Sequence, residues 1–311
     1  MAATALGAGL SVRTFPPLPD AFDITKATDT EKATYGIPQF FPQFPTGKGF
    51  EERWQAMSKG IRFVTPEFKP RDRRRRFLPQ LTDDHGPQTT SIWSGAVVYP
   101  KKGDRIFDIN ATWNLPKSSP PAGAANGVWY SASSWIGIDG DQISADVLQA
   151  GCDADVMLSA GQTQRQFNPW WEWYPAGSFW ITNMPAAAGD QFNCWIQSVS
   201  LLTGSTANTG LIFLTNVTAG LGLFFFATAP GGTLLQGNCA EWIVEALEIN
   251  TSAPELAQYT TVDFTNCATV SVKDDVIYPG GGTLIDMANP GGQIVSKGSI
   301  LSSREVQVAY V

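Results

Sequence analysis

The chain has 311 residues, 43% of them hydrophobic and only 16% charged, with a formal net charge of −7. The length suffices for a large core and one or two domains. Residues 1–85 hold 13 Lys/Arg and 10 Asp/Glu, a balance of +3, whereas residues 86–311 hold 8 and 18, a balance of −10. An acidic body lacks the basic footprint that phosphate binding needs, so nucleic acid is set aside as a partner. The longest apolar run, Leu221 to Ala229, is far short of the roughly 20 residues of a membrane span, so no membrane is expected either.

The N-terminus, Met1 to Leu10, is mildly apolar without a basic leader, a poor match to a signal peptide. Three glycosylation sequons stand at Asn110, Asn216 and Asn250. They suit a secreted chain, and such triplets also arise by chance. Residues 1–85 read as an N-terminal extension or prosegment, irregular and partly helical. Pro-rich pieces such as Phe15-Pro16-Pro17 and Pro38-Gln39-Phe40 favour extended chain or loops. Phe50, Trp54 and Met57 fall at helical spacing and predict a short helix over 51–58.

Arg71-Asp72-Arg73-Arg74-Arg75-Arg76 follows. This run reads as a solvated basic patch or as a maturation cleavage site after Arg75-Arg76, and least well as a nucleic-acid contact. The charge split suggests that the basic extension lies on the acidic body and is loosened by acid; a permanent role for residues 1–85 is the alternative.

From about Ser91 the pattern changes to short strands: residues 96–99, 106–113, 135–138, 170–174, 192–199, 210–217, 221–227, 242–248, 260–264 and 305–311. Gly, Asn, Asp, Pro or Ser clusters separate most of them. Many short strands and almost no long helix predict an all-β antiparallel β-sandwich over residues 86–311. The polar stretch from Asp153 to Pro169 reads as a surface loop. Cysteines 152, 194, 239 and 267 form no CxxC pair and have no histidine among them, so no metal site is expected. One or two disulfides and four free buried thiols are both compatible with that count.

With one histidine, His85, the chain has little means of acid–base chemistry outside its carboxylates. GxSxG, HExxH, GxxxxGK and GxGxxG are all absent, as are the Asp-Thr-Gly and Asp-Ser-Gly motifs of pepsin-like proteases. A free Glu titrates at about 4.3, so carboxylate chemistry points to acidic pH.

Six stretches in order then carry a resemblance: Trp93-Ser94-Gly95-Ala96, Trp135-Ile136-Gly137-Ile138-Asp139-Gly140, Leu148-Gln149-Ala150-Gly151, Trp170-Trp171-Glu172-Trp173-Tyr174-Pro175, Gly189-Asp190 and Ala240-Glu241-Trp242-Ile243-Val244-Glu245. Over roughly residues 88–311, including the terminal strand, the chain resembles the glutamic peptidases, the eqolisins. The resemblance implies an endopeptidase active in acid, without a cofactor, acting on polypeptides as a monomer, outside the cell or in an acidic compartment. It implies two large antiparallel sheets (concanavalin-like), curved so that one face forms a cleft. It also implies a catalytic pair, Gln149 and Glu241, with Trp93, Trp135, Asp139, Trp170, Glu172 and Tyr174 along the substrate.

Plainer readings exist for each residue. Strand alternation puts Glu241, Ile243 and Glu245 on one face and Trp242 and Val244 on the other, and a Glu in such a strand is commonly solvent-facing. Gln149 on its own is an ordinary polar residue. Gln236, also preceded by Leu and followed three residues later by Cys, lacks the Gly-Ile-Asp-Gly run upstream. The tryptophans could be plain core, and Asp139 a turn residue. Glu172, if buried between tryptophans, needs a hydrogen-bond partner or a proton. An aromatic-rich sandwich is also what a non-catalytic carbohydrate-binding protein looks like, and that is the alternative function.

Overall fold

The computed structural model describes residues 3–7, 9–20, 22–37, 47–71, 73–74, 87–140, 144, 146–204, 208–231, 235–249 and 256–311. His85, Arg75, Arg76 and Asn250 lie outside them. Two antiparallel sheets dominate. In the front sheet the order runs Gly177–Ile181, Gln162–Tyr174, Val147–Ser159, Trp129–Ile138, Ala240–Glu245, Trp93–Val98, Thr283–Ala288, Ile294–Ser302, Glu305–Tyr310. In the back sheet Ile106–Asn114, Gln191–Ser198, Thr209–Asn216 and Leu221–Thr228 lie side by side. The strand Val262–Ser271 belongs to both: residues 262–264 pair with Glu305–Tyr310, and residues 265–271 with Ile106–Asn114. The sheet-to-sheet step falls at a register shift near Asn266, whose φ is 53°.

Alternation explains the layers. Ile136, Leu148, Ala150, Trp171, Trp173, Trp242 and Val244 face the back sheet and join one large core. Trp93, Val97, Trp135, Trp170, Ile243 and Ile285 form a second apolar cluster on the other face. The front sheet is thus buried on both sides. Its strands therefore lack the clean apolar–polar alternation of a half-exposed sheet.

That double burial explains one correction. Residues 153–169, expected as a surface loop, form the arms of a long hairpin, Val147–Ser159 and Gln162–Tyr174, joined at Ala160 and Gly161. Both turn residues have positive φ, 47° and 76°, the twist that a two-residue hairpin requires. The arm from Gln162 reads as polar because residues 162–166 are exposed. Asp153 and Asp155 are buried in the other arm.

The N-terminal residues are built into the back of the molecule. The predicted helix is present as Gly47–Ser58. A second helix, Asp29–Tyr35, has a Thr28/Glu31 capping box and ends at Gly36 in the left-handed conformation. Leu10–Arg13 pairs with Leu221–Thr228, and Arg62–Phe63 runs parallel to the start of the same strand. Phe213 and Phe224, neighbours on the back sheet, are covered by Trp54 with ring centres 4.9 Å and 5.0 Å away. Arg53 donates to buried Asp108 at 2.5 Å, and Trp195 and Gln197 donate to that carboxylate as well.

All four cysteines are free and buried. Asn216 is fully buried, with Nδ2 donating to the Pro185 carbonyl and to Asp190. No helix among the described residues is long and apolar enough to cross a membrane.

Trp54→Ala removes the ring that seals the aromatic back face. It is expected to lower unfolding stability by about 3–5 kcal/mol, read as a shifted denaturant midpoint. An unchanged midpoint would mean that the N-terminal helix does not stabilise the body.

Candidate active site

Residues directly opposite in antiparallel strands point to the same face. Gly137 is opposite both Gln149 and Glu241, Gln149 is also opposite Glu172, and Glu172 is opposite Ser178. One row therefore runs Ser178, Glu172, Gln149, Gly137, Glu241, Val97 across the outer face of the front sheet. Gln149 and Glu241 stand two strands apart, about 10 Å between backbones, with no side chain between them. A Cβ on Gly137 would approach the Trp135 ring to 3.0 Å and the Gln149 Cβ to 3.2 Å. The glycine keeps that gap open.

The next row runs Trp180, Trp170, Gly151, Trp135, Ile243, Gly95. Gly151 lies opposite both tryptophans, and a Cβ there would come within 2.1 Å of the Ser134 carbonyl oxygen and 2.5 Å of the Trp135 Cβ. Trp93 meets Trp135 edge-on with ring centres 5.0 Å apart. A third row places Asp153 and Glu245 on either side of Ser133. Trp135 donates its indole N–H to Glu245 at 3.0 Å, and Trp170 donates to Ser133 at 3.0 Å.

The polar side chains orient one another. Glu172 is buried, and its partner is Gln149, whose Nε2 donates to it at 2.6 Å. This bond fixes which end of the Gln149 amide faces Glu172. Glu241 is fully buried rather than solvent-facing. Its Oε2 receives the Cys239 thiol at 3.5 Å, and its Oε1 is 2.6 Å from where a Cβ on Gly140 would stand. Gly140 has φ +122°, so both conformation and space call for glycine.

Of the eight residues singled out in the sequence, Gln149, Glu172, Glu241, Trp135 and Trp170 share this face within two adjoining rows. Trp93 joins their apolar cluster, and Tyr174, half-buried, stands opposite Val147 on the same face. Asp139 is turned elsewhere. Its carboxylate accepts from the backbone N–H groups of Gln236, Gly237 and Asn238 at 2.6–2.9 Å. It ties down the turn that leads into the Glu241 strand. Gln236 donates its backbone N–H to that carboxylate. Gly137, Gly140, Cys239, Ser133, Asp153 and Arg71 complete the surroundings. Only the glycines carried a hint in sequence, since each lies inside a motif.

Burial raises the Asp139 pKa from 3.8 to about 6, against the three backbone N–H bonds, with Asp146 adding to the rise. A raised folded-state value means that the native state holds the proton where the unfolded chain has lost it. The stabilisation from this group is complete below about pH 4 and is lost as pH rises through about 6. Asp139→Asn is expected to flatten the stability-versus-pH profile between those values, as read by thermal unfolding. A profile identical to wild type would show that Asp139 does not titrate there.

Comparisons with known proteins bear on the family and the fold. Residues 91–310 match the model of the Peptidase A4 family. The chain is 28% identical over 274 residues to aspergillopepsin-2 of Aspergillus niger, covering 83% of this chain and 90% of that protein. It is 28% identical over 194 residues to scytalidopepsin B of Scytalidium lignicola, covering 60% of this chain and 66% of that protein. Among solved structures, scytalido-glutamic peptidase with a transition state analog inhibitor superposes with a TM-score of 0.57 at 24% identity, covering 71% of this chain and 98% of the other, a likeness of fold. Aspergilloglutamic peptidase from Aspergillus niger gives 0.50 at 29% identity, covering 58% and 99%. With the family model matching residues 91–310, which include the front-sheet strands from Trp93 to Tyr310, the chain belongs to the Peptidase A4 family, the eqolisins or glutamic peptidases.

Proposed function

We propose that the chain is an acid-acting endopeptidase in which Glu241 activates water and Gln149 stabilises the oxyanion. The observation that carries this reading is the register that sets Gln149 and Glu241 on either side of the bare Gly137. A scissile carbonyl over Gly137 has a carboxylate on one flank and an amide N–H on the other. Glu241, ionised, takes a proton from water as the oxygen attacks, then returns it to the leaving nitrogen. The donor to the developing oxyanion is the Gln149 amide N–H, on the nitrogen that also donates to Glu172. A neutral amide opposite Glu241 adds no like charge that would raise the base's pKa. Trp93, Trp135, Trp170 and Tyr174 supply the walls, and Asp139 positions the Glu241 strand. Chemistry of this kind fits action outside the cell or in an acidic compartment, on unfolded polypeptide.

The carbohydrate-binding alternative needs tryptophan faces open to sugar rings. Trp93, Trp135 and Trp170 are each at most 1% exposed, so none offers an open ring face to a sugar.

Hydrolysis of an unfolded protein from about pH 2 to about pH 7 is expected to peak in acid. Glu241→Gln should lower kcat by about 10²–10⁴ and Gln149→Ala by about 10²–10³, with both proteins folded. Wild-type chain inactive across that range, or variants as fast as wild type, would overturn the assignment. Gly137→Ala places a methyl in the gap. It should lower kcat and, by crowding the Trp135 ring, also lower the melting temperature by an amount equivalent to about 1–3 kcal/mol; undiminished turnover in the folded variant would mean that the reacting carbonyl does not sit there.

A further inference from the structure

The N-terminal segment reaches the face that carries the Gln149–Glu241 pair. Phe68–Pro70 adds an antiparallel strand beside Gly177–Ile181 at the sheet edge, and the Arg71 N–H continues the ladder to the Ser178 carbonyl. There the Arg71 side chain turns inward over the outer face. Its guanidinium lies 4.0 Å from the centre of the Trp170 ring. Nε and Nη2 donate to the two oxygens of Asp153 at 3.0 Å and 2.5 Å, and Nη1 donates to Ser178 Oγ at 3.3 Å. Asp153 also receives Ser133 and Trp180, at 2.8 Å and 3.2 Å. The Arg71 side chain is 2% exposed and that of Asp153 0%.

The place of this cluster matters. Trp170 is two residues along its strand from Glu172, about 7 Å, and Asp153 is four residues from Gln149, about 13 Å. Two residues past Arg71, the Arg73–Arg74 backbone pairs with Glu248–Ile249, the segment that follows the Glu241 strand. The N-terminal chain thus passes from the sheet edge to the segment that follows the end of the Glu241 strand. The Trp170 face is occupied by the guanidinium.

The segment is also firmly seated. Phe68 packs against Trp171 and Phe225 in the core. Thr182 N–H donates to the Glu67 carbonyl, and Asn183 Nδ2 to that of Thr65.

We infer that Arg71 is a specificity-determining residue that permanently closes the substrate face beyond Trp170, so that a bound peptide ends there. The inference rests on the peptidase reading. It assigns residues up to Arg71 to the working enzyme, although they lie outside the part matched by the family model. A peptide extended towards Trp170 meets a packed ion pair whose opening would leave Asp153 buried without its cation. Among the described residues, no second buried ion pair lies at the other end of the face.

The test uses the full chain carrying Glu241→Gln to stop turnover. A peptide series lengthened one residue at a time at either end is titrated calorimetrically in acid. Affinity is expected to level off early at one end. With Arg71→Ala/Asp153→Ala added, the next residue at that end should improve binding about tenfold, most for an aromatic side chain. Arg71→Met/Asp153→Asn keeps the bulk without a buried charge and should behave as the parent does. Affinity that rises with every residue at both ends in the parent overturns the inference without any Arg71 variant. So does a length dependence shared by all three proteins, or an active wild-type enzyme whose intact mass shows residues up to Arg71 lost. Wild-type hydrolysis with an unaltered length profile refutes the wall alone. A profile altered as expected without hydrolysis sustains the wall and refutes the chemistry, and no binding at any length counts against both.

Discussion

Everything proposed for this molecule depends on one cross-strand register. Gly137 is paired on one side with Gln149 and on the other with Glu241. A slip of one residue in either pairing would turn one of the two side chains into the core between the sheets. The register is held by the residues around it. Gly151 is enclosed by Trp135 and Ser134, and Gly95, at φ +148°, lies where a Cβ would strike the Trp242 carbonyl oxygen at 2.0 Å. In the tryptophan row Gly151 stands between the Trp170 and Trp135 positions, and a shift would set a ring against a backbone. The functional gap and the packing that fixes it come from the same glycine–tryptophan pattern.

A second constraint is electrostatic. Two arginines of the N-terminal segment, Arg53 and Arg71, each pair with a buried aspartate of the body, Asp108 behind the back sheet and Asp153 on the front. Burial opposes the charge on Arg71, but Asp153 in contact, with Glu172 and Glu245 farther off, holds its pKa above the ordinary value. Removing either arginine alone would leave a desolvated carboxylate, which is far costlier than losing a surface pair. The N-terminal segment and the two sheets are in this sense electrically incomplete without each other.

Much of this was legible in the sequence. The all-β class, the helix near Trp54 and the same-face placement of Glu241, Ile243 and Glu245 followed from periodicity. The pairing of Gln149 with Glu241 in one row came only through the family motifs, because contact between strands 92 residues apart leaves no local trace. The 153–169 hairpin was hidden by its polarity: Asp153 looks like a loop residue until Arg71, 82 positions earlier, is seen to neutralise it. Asp139 was legible as a turn residue and as part of a motif. Its grip on three backbone N–H groups depends on a turn some hundred residues away.

The strand Val262–Ser271 has a mechanical consequence. Because its first residues are hydrogen-bonded into the front sheet and the rest into the back sheet, the two layers are stitched together and cannot slide past one another without breaking one ladder. Gln149 and Glu241 are fully enclosed in this structure. Shear between the layers therefore cannot be what admits a peptide to them. The sandwich acts as a rigid anvil, its two layers held in one position by a single shared strand.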